Sequence, residues 1–268
     1  MSSALLFQMP LLPRETRPPA DSETEITPPL RDDLARLRAS LAPELAARIS
    51  SASELARTLQ RRRRDEAIPT TIPEVDRLLE GGLPRGRLIE IAARRSTGRF
   101  SIALSTVASA TSSGDAAAFI DLGDHLDPSA LEIAGAELSR VLWIRPRTVK
   151  EAVTSAELLI ATGFPLVVAE LGVHPLPGRR VAEASWVRLA RAAEGHGAAL
   201  LVCSPYPISG TISEAVISGQ RGRAAWQGEK KTPRLLTGLS TTLRLEKHRH
   251  RKAGDAVMLR LLMKEVIR

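Results

Sequence analysis

The feature that most limits the fold is an alternation. Nearly uninterrupted apolar runs at 87–92, 116–122, 166–171 and 198–204 are separated by stretches with helical spacing. A strand that is apolar on both faces must be covered on both faces. Strands joined through helices run parallel, with right-handed crossovers. The chain is therefore expected to be α/β, with a mainly parallel sheet flanked by helices. The intervening segments fit. Residues 100–109 are rich in Ala, Ile, Leu and Val, and residues 148–162 place Val149, Ala152, Val153, Ala156 and Leu159 on one side. Asp127 with Pro128 predicts the cap and first turn of a helix to about 139, and 181–194 predicts another. A short strand is expected at 141–144.

Outside this alternation the chain changes character. Residues 1–30 hold many prolines and no sustained period, which predicts a disordered leader. Residues 31–66 predict an N-terminal helical extension, with Leu34, Leu37, Leu41, Leu45 and Ile49 in one stripe, a break at Pro43, and four arginines at 61–64. Ser51 with Glu54 fits a capping box for a second helix there. The core is expected at 67–268. Residues 68–86 are turn-rich around one short helix near 74–79. Residues 206–236, rich in Gly and Ser, read as a long loop. Leu239, Thr241, Leu243 and Leu245, then Val257, Leu259, Leu261 and Met263, alternate with polar residues. They predict a C-terminal β-hairpin with a basic tip at 247–254.

Composition excludes several classes. The single Cys203 rules out a disulfide framework and a cysteine-based zinc site. No apolar stretch has the length of a membrane span, and the first residues lack a basic region before their apolar ones, so a cytoplasmic protein is expected. The net charge is +8, and residues 221–268 carry 13 Lys and Arg against 4 Asp and Glu. The whole excess therefore lies in the last quarter, which predicts contact with DNA or an acidic partner. Candidate residues are Arg179, Arg180, Arg221, Arg223, Trp226, Lys230, Lys231, Lys247, Arg249, Arg251 and Lys252. The alternative for each is a solvated basic surface.

In sheets of this kind ligands bind beyond the carboxyl ends of the strands. Those ends carry the loop after 92, Asp121 with Asp124, Glu170 and Ser204. Strand, loop and helix over 87–109 are the setting of a phosphate-cradling loop. Its spacing, G-x-x-x-x-G-K-[ST], falls on Ala93, Arg94, Arg95, Ser96, Thr97, Gly98, Arg99 and Phe100. The frame is kept and most of the chemistry is replaced.

The segment order 68–91, the loop position, FIDLGDHLDP at 119–128 and the strand ending at Glu170 together resemble the RecA ATPase core, from about 68 to 263. Within that superfamily the short length and degenerate loop resemble the ImuA family. ImuA proteins are accessory factors in bacterial mutagenic translesion synthesis. The resemblance implies an ImuB-like Y-family partner, with RecA, an error-prone C-family polymerase and DNA as further partners. It also sets Arg99 where the loop lysine stands and Phe100 where a hydroxyl ligates Mg²⁺. Gly123 aligns with the water-activating glutamate, Glu170 with the metal-binding aspartate, and Cys203 with Ser204 with a nucleotide-sensing polar pair. With those parts changed, no ATP hydrolysis and no metal site are expected. Gly98 and the helix start still offer N–H groups to an anion, so residual nucleotide binding stays open, using 93–100, Asp121, Asp124 and Glu170. The alternatives are a divergent ATP-dependent recombinase and a SulA-type division inhibitor, which shares the core.

Overall fold

The computed structural model describes residues 67–173, 176, 181–228 and 233–262. The expected leader and helical extension lie outside these residues, as do Arg179, Arg180, Lys230 and Lys231.

A small antiparallel pair, β1 (Ala67–Ile68) and β2 (Leu83–Pro84), flanks helix α1 (Pro73–Leu78). The main sheet follows: β3 (Leu88–Ala93), β4 (Ala117–Asp121), β5 (Val141–Ile144), β6 (Leu166–Glu170), β7 (Ala199–Ser204), β8 (Ala215–Gly219), β9 (Arg223–Gln227), β10 (Leu235–His248) and β11 (Ala256–Leu262). Between them run α2 (Arg99–Ser112), α3 (Pro128–Ile133), α4 (Val149–Ala161) and α5 (Glu183–His196). The nine-stranded sheet has the order β11-β10-β8-β3-β7-β6-β4-β5, with β9 on the side of β10. From β8 to β5 every pairing is parallel, and β9, β10 and β11 add antiparallel. The α/β sandwich and the C-terminal hairpin match the expectation.

Alternate residues of each central strand enter two separate cores. Ile89, Ile91, Phe119, Val168 and Leu201 pack with Ile102 and Val107 of α2. Leu88, Ile120, Val167 and Leu200 pack with Val153 and Leu159 of α4 and Trp186 of α5. This is why the strands read as continuous apolar runs.

Two expectations are corrected. The helix after Asp127 begins as predicted, with Asp127 accepting from the Ser129 N–H at 2.9 Å. It ends at Ile133 rather than near 139, because Gly135 takes φ +97° and stops it; a 3₁₀ turn at Leu138–Arg140 follows. The long loop at 206–236 contains two strands. Ala-Val-Ile-Ser-Gly, a run of five among turn residues, forms β8 because β3 has an open edge for it: Ile89 faces Ala215 and Ala93 faces Gly219.

The rest of the loop after β7 is held by an acid in the middle of the sheet. Glu90 of β3 is fully buried. Its carboxylate accepts from Ile208 N–H at 2.7 Å, Ser209 N–H at 3.1 Å, Ser204 Oγ at 2.9 Å and Ser209 Oγ. Glu90→Ala strands these donors, and chemical denaturation should show a loss of about 3 kcal/mol.

Candidate functional site

The loop between β3 and α2 is built by short-range bonds. Thr97 Oγ1 donates to Arg94 O at 2.8 Å, and Gly222 N–H, from the turn after β8, donates to Ser96 O at 2.7 Å. Gly98 caps α2 in the left-handed region at φ +82°. The angle favours glycine, and a Cβ there would also crowd Leu261 Cδ1 at 2.8 Å. Ala93, where the motif has its first glycine, is an ordinary strand end. The loop keeps its turn without that glycine.

The guanidinium of Arg99 turns inward. It donates to Ala93 O at the start of the loop, to Gly172 O at 2.7 Å and to Glu170 Oε1. Arg99 is 7% exposed and Glu170 1%. Oε1 also accepts from Gly172 N–H at 3.1 Å, while Oε2 is buried with no partner among the described residues. Burial pushes the Glu170 carboxyl up to about 7; Asp121 adds to this, and Arg99 and Gly172 oppose it. Asp121 is opposite Glu170 in the sheet and accepts from Leu126 N–H at 2.8 Å. It therefore holds the following loop in place.

These residues do not fit a magnesium–nucleotide site. Phe100 brings no ligand: its ring packs edge-on against Phe119, 5.9 Å between centroids at 72°. At the metal-binding position Glu170 gives one oxygen to Arg99 and Gly172, and its other oxygen is buried without a partner among the described residues. Gly123 carries no carboxylate, and a Cβ there would push the His125 ring aside and press on Gly172 Cα at 3.2 Å. Ser204 Oγ is bound to Glu90, and Cys203 is wholly buried with its thiol pushed well up by that burial.

An anion finds a better reception outside the pair. Arg94 and Arg95 are exposed, and among the described residues their side chains have no partner. They line a cavity of about 300 Å³ with Ser96, Gly98, Phe100 and His125. They also line one of about 610 Å³ with Arg99, Val173, Pro205 and Tyr206. His125, Val173, Tyr206 and Leu239 join the predicted set here. Only His125, within the FIDLGDHLDP segment, carried a signal in the sequence. Asp124 does not join: it is exposed and faces Arg145 at 3.4 Å.

The basic residues divide. Lys247 Nζ donates to Thr211 O and Ser213 O, each at 2.6 Å, and Arg251 donates to Leu78 O at 3.1 Å and pairs with Asp255 at 2.6 Å. These two brace the chain's own turns. Arg221, Arg223, Arg249 and Lys252 are exposed. Trp226 is 48% exposed, with the Arg234 guanidinium 5.6 Å from its ring centroid.

Fold and loop together define a RecA-like core. The RecA N-terminal domain family matches residues 54–174. The RecA protein of Saccharopolyspora erythraea is 40% identical over 99 residues, covering 37% of this chain and 29% of that protein. RecA of Clostridioides difficile is 42% identical over 83 residues, covering 31% of this chain and 24% of its own length. RecA of Gloeothece citriformis is 36% identical over 118 residues, covering 44% and 33%. The chain thus spans a third or less of these relatives. In three dimensions the crystal structure of the RadB recombinase superposes with a TM-score of 0.52 at 21% identity, over 71% of this chain and 94% of that one.

Two outcomes check the buried pair. Arg99→Ala leaves Glu170 uncompensated and should cost about 3–5 kcal/mol in denaturant melts, with Arg99→Met/Glu170→Leu recovering most of it. The folded chain holds the Glu170 proton up to about 7 against an ordinary 4.5, so stability should fall as pH rises through that window and stay lowered above it. Melting temperatures of Glu170→Gln should lack that fall.

Proposed function

We propose that this chain is a non-catalytic RecA-fold accessory protein of DNA-damage tolerance, of the ImuA type. In this reading it bridges an ImuB-like Y-family protein, with RecA and an error-prone C-family polymerase as further partners, at damaged DNA. The observation that carries the reading is the Arg99–Glu170 pair beside Phe100: the frame of a phosphate loop is kept while its charge and metal positions are used for internal bonding. Each lost part is worth several kcal/mol of transition-state stabilisation, so losing the metal hydroxyl and the water-activating acid together removes turnover. A scaffold needs the fold and not the motor. The exposed Arg94 and Arg95 leave the loop able to meet an anion without hydrolysing it.

Steady-state ATPase assays, with and without single-stranded DNA, should show no turnover above a blank. DNA-stimulated hydrolysis lost in Glu170→Gln would reject the scaffold and favour a divergent ATPase. Co-purification with an ImuB-like protein from the same genome should succeed, and its failure would count against the ImuA assignment.

A further inference from the structure

Helices α4 and α5 pack on β4, β6 and β7. The same face of the sheet continues past β8 onto β9, β10 and β11, where Arg223, Arg244, Met258, Arg260 and Leu262 are exposed. On β11, Met258 is 58% and Leu262 83% exposed. The register sets three arginines here. Ser240 of β10 lies opposite Arg223 of β9 on one side and Arg260 of β11 on the other, so these form one cross-strand row. Arg244 lies two pleats along β10 on the same face, past Thr242, which faces Met258. Arg223 and Arg260 are two strand spacings apart, about 10 Å. Among the described residues none of the three arginines has a hydrogen-bond or ion-pair partner. Glu246, further along β10, accepts from Ser218 Oγ at 2.5 Å and pairs with none of them.

Like charges across a sheet repel, and among the described residues no acidic group offsets the arrangement. Short side chains at Ser240 and Thr242 leave a shallow trough along β10, with cations on both sides and apolar side chains at the β11 edge. A protein-binding patch has the reverse order, an apolar centre within a polar rim. A string of phosphates suits the centre, because guanidinium groups grip phosphate through two parallel bonds. Exposed Met258 and Leu262 suit bases whose faces are free, which a duplex would bury in its own stack.

We propose that the outer face of β9, β10 and β11 binds single-stranded nucleic acid, its backbone lying along β10 on Arg223, Arg244 and Arg260. This deepens the scaffold reading by giving its DNA contact a surface. ATP turnover would sink the scaffold and leave this inference standing.

The test is fluorescence anisotropy of a labelled oligothymidylate over a salt series, with the full chain. R223A/R244A/R260A should bind about tenfold or more weakly at low salt. Its slope of log affinity against log salt should be shallower by about two, from about 0.7 per lost phosphate contact. The triple Arg→Lys variant should keep the slope, and a matched melting curve for the alanine variant shows that the fold is intact. Unchanged affinity and slope in the alanine variant would overturn the proposal. So would binding of poly-glutamate, but not of the oligonucleotide, that depends on the same arginines.

Discussion

One buried ion pair governs the carboxyl edge of this sheet. Arg99 begins α2, Glu170 ends β6, and the guanidinium also holds the backbone at Ala93 and Gly172. Two segments 71 residues apart in sequence are tied by one cation. A charge this deep needs a partner, because leaving either member alone in a low-dielectric site is costly. In a working phosphate loop that cation faces the ligand. Here it bonds to Ala93, Gly172 and Glu170 of its own chain.

The same economy runs across the edge. Phe100 stabilises the sheet by packing on Phe119, and Asp121 holds the backbone at Leu126. Glu90 gathers the loop after β7 by taking four hydrogen bonds. Polar and charged residues that a motor would point at a ligand are spent on holding loops. Outward-facing cations remain: Arg94 and Arg95 beside the loop, and the arginine row on the outer strands.

Much of this was legible in residue order. The apolar runs at β3, β4, β6 and β7 announced a covered parallel sheet, and each lies within a residue or two of its expected place. The loop spacing from Ala93 to Phe100 was equally plain, and so were the replacements within it. The strand β8 was hidden, since five residues among glycines and serines carry too little pattern to outweigh their surroundings. The basic hairpin tip was legible as a run of charge, but its division was not: Lys247 and Arg251 turn back to carbonyls and carboxylates of their own chain, while Arg249 and Lys252 stay exposed. Linear charge density does not say which cations find internal acceptors.

The sequence by itself determined the layer architecture, the position of the loop and that Phe100 stands where the loop spacing calls for a hydroxyl. These follow from hydrophobic period and residue identity, which are local. Only the tertiary structure decided that Arg99 bonds to Glu170 and that β8 slots beside β3. It alone aligned Arg223 and Arg260 across Ser240. Each of these depends on which strands become neighbours, and that is set by the whole sheet closing over its two cores.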